Sequence, residues 1–341
     1  MDNIFNGIKL IEQANTKKVK EDFKHNLTVV IGCALLMLML VYLDDGIRFL
    51  LDYFHDLACE FIIQVKNVTF DEAAQIYEDF ICSNTFNNIL GLFTQLVMLL
   101  LPTLIAAKSI KNKPISFYPL KAVLPEKPWS FIGFSFGTCY MVNMLCNLLF
   151  NKFYPNIEAL SYGEVAFSFL SIVIVAPIFE ELVFRGVFFQ ALLPYNRTFA
   201  IVFSALIFGL MHRNPPSVIN ALVFGIFAAI GFAKTKSILI CVVLHMTNNA
   251  ISFMVAYLIS NANMFAFAML FSVFTIGTIG FAIAFLVNML VSKRRSSISL
   301  SPQLSNLPRI RSSFIAKSIA LNPFSWFFAT LLAYSILVLY I

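Results

Sequence analysis

The sequence predicts an all-α fold: a polytopic membrane helical bundle of about eight to nine transmembrane helices. Three observations predict it. Of the 341 residues only 12% are charged and 59% are hydrophobic, with a mean hydropathy of +0.82, against about 25% charged in ordinary globular chains. Apolar runs near the ~20 residues that cross a bilayer recur along the whole chain. Basic residues gather in alternate connections between these runs, as membrane orientation requires.

Taken in order, the spans fall near 27–43, 86–107, 129–150, 164–184, 198–212, 217–233, 237–259, 265–291 and 323–341, the fifth and sixth being short. The N-terminal 25 residues carry Lys17, Lys18, Lys20 and Lys24 and lack a signal-peptide cleavage pattern, so the first span reads as a retained anchor. With the N-terminus cytoplasmic, the inner connections hold 20 of the 24 Lys and Arg residues, including five in 1–26, five in 108–128 and six in 293–317. In a bacterium this orientation places the protein in the plasma membrane. The net charge of +6 then reflects orientation and attraction to anionic lipid, and makes no case for nucleic acid binding.

Four regions follow. Residues 1–26 form a cytoplasmic tail, and 27–160 an N-terminal transmembrane region whose outer loop, 44–85, holds 9 of the 18 acids. In that loop "IRFLLDYFHDLACEFIIQV" reads as an amphipathic helix on the outer surface, and "TFDEAAQIYEDF" opens with a capping box at Thr69 and Glu72. Residues 161–260 form a helical core. Residues 261–341 supply the last helices and a basic, Ser-rich cytoplasmic linker at 293–317, which reads first as an orientation signal. The six cysteines show no metal-type spacing; Cys59 and Cys82 share the outer loop and are the one pair open to a disulfide. Ala221, Gly225 and Ala229 recur every fourth residue and let another helix approach closely. Packing accounts for that stripe.

The polar residues of the core carry the functional signal. Ionised side chains in a span are costly and concentrate where they work. Glu180, Glu181 and Arg185 end the hydrophobic segment "FSFLSIVIVAPIFEELVFRG". Helix neighbours diverge by about 100°, so the two glutamates cannot face one target. Glu181 stands four residues before Arg185 and is placed to pair with it, which leaves Glu180 free for chemistry. Pro177 removes an N–H one turn earlier and predicts a kink there. Phe208 and His212 share one helical face, and His245 and Asn249 another. Counting 1.5 Å per residue from the flanking turns puts Glu180, His212 and His245 at depths of about 14–22 Å, roughly one layer. A lone buried His or Glu–Arg pair is as often structural as functional. Two acids, two histidines and an amide on three consecutive apolar helices favour function.

"EELVFR", "FGLMH" and "HMTNN" resemble the EExxxR, FxxxH and HxxxN motifs of the CAAX protease and bacteriocin-processing family, intramembrane proteases that include type II CAAX prenyl endopeptidases. The resemblance covers 180–249 and implies peptide-bond hydrolysis in a membrane cavity open to the cytoplasm. On that footing Glu180, helped by His212, activates water, while His245 and Asn249 donate to the oxyanion; Glu181, Arg185 and Phe208 support them. A second version sets a divalent metal such as zinc between Glu180, His212 and His245. The HExxH zinc helix is absent. The expected substrate is a hydrophobic or prenylated peptide, presented among membrane lipids. "GFSFG" (133–137) matches the serine-hydrolase pattern GxSxG, but lies in an apolar helix rather than a strand–turn–helix elbow. A catalytically silent regulator on the same scaffold and a proton-coupled transporter are the competing readings; no paired repeat of broken helices supports the latter.

Overall fold

The computed structural model describes residues 2–111, 128–149, 162–235, 237–260, 264–291 and 310–338. Every regular element among them is helical. Most of the expected inner connection at 108–128 and the part of the basic linker before 310 lie outside the described residues.

The first helix, α1 (Asp2–Leu40), runs unbroken from the expected tail into the first span. Beyond it come α2 (Leu43–Tyr53), α3 (His55–Lys66) and α4 (Phe70–Ile81). The capping box forms as predicted: Glu72 N–H donates to Thr69 Oγ1 at 3.4 Å, and Thr69 N–H donates to Glu72 Oε2 at 2.8 Å. The Thr69 N–H and hydroxyl together hold the Glu72 carboxyl below its ordinary pKa. Folding back at Asn67, which takes the left-handed conformation (φ 55°), brings α4 onto α3 around Cys59, Ala73 and Tyr77. The Tyr77 hydroxyl donates to Leu51 O at 2.9 Å and ties this hairpin to α2. Leu50, Phe54, Leu57, Phe61 and Val65 remain exposed at three- and four-residue spacing, the apolar face read from the sequence. Cys59 is buried and Cys82 exposed, and both are free thiols, so the candidate disulfide is not formed.

Then follow α5 (Asn84–Ser109), α6 (Pro128–Leu149), a long helix α7 over 162–192, α8 (Arg197–Leu210), α9 (Pro215–Thr235), α10 (Ile238–Ser260) and α11 (Met264–Val291). Ser83 caps α5 and Asn196 caps α8 through bonds to the N–H groups of Phe86 and Phe199. The chain closes with α12 (Ser312–Ala320) and α13 (Pro323–Val338), bent by 68°. Part of the expected linker is therefore helical.

Among the described residues five helices are long and apolar enough to cross a membrane, or six if the bent pair is one span. Two further apolar helices, α6 and α11, occupy expected spans with 22 and 28 residues. The expected fifth span, α8, has 14 residues. At 1.5 Å per residue that is about 21 Å, short of the ~30 Å hydrocarbon layer.

Two kinds of contact position the core. Glycines let helices meet: a Cβ on Gly225 of α9 would stand 3.0 Å from Ala205 of α8, and one on Gly209 would stand 2.9 Å from the Val218 carbonyl. Buried amides join helix ends. Asn26 of α1, 1% exposed, donates to the carbonyls of Ala191 and Lys111 at 3.1 Å and accepts from Lys111 N–H at 2.9 Å. It thereby holds the end of α7 beside the end of α5. Ile310 and the Tyr195–Asn196 turn exchange hydrogen bonds of 3.2 Å, and Phe23 packs edge-on against Tyr195 and Phe199. The first and last parts of the chain thus brace the turn that ends α7.

Candidate active site

Helix α7 carries the glutamates, and its backbone is unusual on both sides of them. It is π-helical over Leu170–Val175, α-helical over Ala176–Glu181 and π-helical again over Leu182–Phe189. Pro177, where the sequence predicts a kink, lies in the α-helical turn between the two π-helical segments. π-Turns recur at functional sites. Glu181 Oε1 accepts from Arg185 Nη1 at 2.7 Å, the expected pair, with the two side chains 0% and 1% exposed.

The pair belongs to a larger cluster. Arg185 Nη2 donates to the Gly225 carbonyl at 3.3 Å, and its guanidinium lies 4.6 Å from the Phe208 ring centre and 5.8 Å from that of Phe224. Such cation–π contacts strengthen when desolvated. The small-residue stripe therefore does more than pack helices: at Gly225 it also supplies an acceptor for a buried cation. No local pattern announces a carbonyl partner from another helix, so this contact is not legible in the sequence.

His245 of α10 lies between the two glutamates. Its Nδ1 is 2.9 Å from Glu181 Oε1 and its Nε2 is 3.7 Å from Glu180 Oε2. A carboxylate only accepts, so Nδ1 carries the proton toward Glu181. One nitrogen of the imidazole is thus committed to the structural carboxylate. Phe224 and Phe208 enclose the ring, at centroid distances of 4.7 and 5.6 Å.

Glu180 differs from its neighbour. Its side chain is 17% exposed, and its nearest charged partner is the 3.7 Å contact with His245. His212 lies in the turn just beyond α8 and is exposed. Its Nδ1 donates to the Phe208 carbonyl at 3.0 Å, which leaves Nε2 as the acceptor of the neutral ring. The Phe208 ring stands between the two histidines, 5.1 Å from His212. The next residue, Arg213, adopts φ 58°, a strained backbone of the kind that clusters at functional sites; Asn214 N–H then donates back to His212 O at 2.6 Å. Asn249 Nδ2 donates to the Ile172 carbonyl at 2.9 Å, so the amide expected at the oxyanion already gives one of its two N–H groups to α7.

Glu180, Glu181, Arg185, Phe208 and His245 are thus one contiguous cluster, His212 joins it through Phe208, and Asn249 lies one turn beyond His245. Among the described residues no group of three or more His, Cys, Asp or Glu side chains is placed to hold a metal ion. Of the candidate ligands Glu180, His212 and His245, the structure brings Glu180 Oε2 and His245 Nε2 within 3.7 Å of each other. Ser135 is 5% exposed inside helix α6, far from the exposed elbow that a serine nucleophile needs.

Comparison with known proteins points to the same segment. The family model of type II CAAX prenyl endopeptidase Rce1-like proteins matches residues 162–251. The membrane-embedded CAAX protease MroQ of Staphylococcus aureus (strain USA300) is 27% identical over 177 residues, covering 46% of this chain and 71% of that protein. No solved structure matches the chain.

Proposed function

We propose that this chain, which over residues 162–251 is similar to the type II CAAX prenyl endopeptidase Rce1-like family, is an intramembrane endopeptidase cleaving a hydrophobic protein or peptide tail with Glu180 as general base. The observation that carries this reading is the division of labour between adjacent carboxylates. Glu181 is fully buried and spent on Arg185 and His245, while Glu180 is partly exposed and lightly paired.

Water held between Glu180 and the bare Nε2 of His212 loses a proton to Glu180 as its oxygen attacks the scissile carbonyl. The tetrahedral oxyanion is met by Nε2–H of His245 and by the second N–H of Asn249. With Nδ1–H already given to Glu181, His245 can donate from Nε2 only as an imidazolium. The two glutamates beside it balance that charge. Collapse of the intermediate returns the proton from Glu180 to the leaving amine. The lipid-facing helices suit an apolar or lipidated substrate entering sideways, and a prenylated C-terminal tail or a precursor peptide fits that description.

The test is cleavage of a prenylated peptide by the purified protein in proteoliposomes, with Glu180→Ala as control. Cleavage that needs Glu180 and survives a strong chelator supports the glutamate route. Loss with the chelator and recovery with zinc supports metal-assisted chemistry. No cleavage of prenylated and unprenylated hydrophobic peptides alike favours the silent regulator.

We further propose that the face rich in basic residues is cytoplasmic and that the site opens toward it. In a cysteine-free background, Ser313→Cys, on an exposed residue, is expected to react with impermeant maleimide only when the inner face is accessible. Asp71→Cys is expected to react from outside. The reverse pattern inverts the orientation.

A further inference from the structure

The first π-helical segment of α7 leaves one backbone group without a helical partner. At the end of the π-helical run Leu170–Val175, Ala176 N–H reaches back five residues to Ser171 O. The next carbonyl is that of Ile172. Its α-helical donor would be Ala176, already used, and its π-helical donor would be residue 177, a proline with no N–H. An unpaired carbonyl at membrane depth is strongly unfavourable, since hydrocarbon supplies no donor. The donor comes from another helix: Asn249 Nδ2, at 2.9 Å.

We infer that Pro177 is a positioning residue for Asn249, and through it for His245. By withholding its N–H, Pro177 keeps the Ile172 carbonyl available, and Asn249 anchors there. Asn249 is one helical turn from His245 on the same face of α10. Anchoring it to α7 therefore sets the rotation of α10 that turns His245 toward Glu180 and Glu181. The same carbonyl bond orients the remaining N–H of Asn249. A proline that served only to bend α7 would be indifferent to the residue at 249. This inference deepens the proteolytic reading and rests on it for its catalytic consequence, though the hydrogen-bond relation stands by itself.

The test is a double-mutant cycle of Pro177→Ala and Asn249→Ala, read by thermal melting and by cleavage rate in proteoliposomes, with Glu180→Gln as the reference for the site. Removing Asn249 orphans the Ile172 carbonyl in the wild-type background. With Ala at 177 a backbone N–H is on hand to take it. Asn249→Ala is therefore expected to lower the melting temperature by several degrees alone and by clearly less in the Pro177→Ala background. Each single variant is expected to lower kcat more than it raises KM, and the double variant to be no slower than Asn249→Ala. Equal melting losses in both backgrounds, or multiplied rate losses, overturn the link. Should Asn249→Ala alone fail to fold, the link requires that adding Pro177→Ala restore folded protein, and failure to do so also overturns it. If Glu180→Gln cleaves like the wild type, the proteolytic reading fails, and the melting cycle still decides the relation between Pro177 and Asn249.

Discussion

Glu180→Gln is expected to abolish cleavage while leaving a protein that expresses and melts like the wild type. The exchange keeps shape and polarity and removes the proton acceptor. Loss of a general base typically costs about 10²–10⁴-fold in rate, which puts the residual activity near the background of most peptide assays. Stability is spared because Glu180 is partly exposed and its one ionic contact, with His245, is 3.7 Å long. The measurement is kcat/KM on a fluorogenic hydrophobic peptide beside a melting curve of the same preparation. A variant that keeps a tenth or more of the activity removes Glu180 from the role of base. A variant that loses fold as well removes the distinction between the two glutamates.

Arg185→Gln is expected to do the opposite first and damage the fold. It strands the Glu181 carboxylate, which is 0% exposed and already has one oxygen, Oε2, without a hydrogen-bond partner among the described residues. Breaking a buried ion pair from one side costs about 3–5 kcal/mol, and the lost contacts of the guanidinium with Phe208 and Phe224 add to that. Set against a typical stability of about 5–15 kcal/mol, this is a large share, and the yield of folded protein should fall steeply. Glu181→Gln should fall in the same direction, since it removes the carboxylate between Arg185 and His245. The paired change Glu181→Leu with Arg185→Leu restores a neutral, apolar pair, which is often tolerated. It is expected to regain yield without activity, because His245 has then lost the acceptor of its Nδ1 proton. Folded, active Arg185→Gln protein would show that the pair is dispensable.

The membrane class, the helical fold and the helical spacing of the candidate site residues were readable from the sequence because they rest on local rules. An apolar run declares a span by its length, and residues four apart share a helical face whatever surrounds them. That is why the Glu181–Arg185 bond, the capping box at Thr69 and the pairing of Phe208 with His212 all appear where the spacing put them. The sequence also flagged Pro177, although as a kink. What only the tertiary structure decided depends on how helices are rotated and how closely they approach. Small residues at Ala205 and Gly225 set the crossing of α8 and α9, and that crossing brings the Gly225 carbonyl to Arg185 and Phe208 to the centre of the cluster. The rotation of α10 then commits His245 to both glutamates and Asn249 to Ile172, and spacing along one helix holds no information about the carbonyls of another. Depth along three helices can be counted from a sequence, but convergence of three side chains on one point is a property of packing.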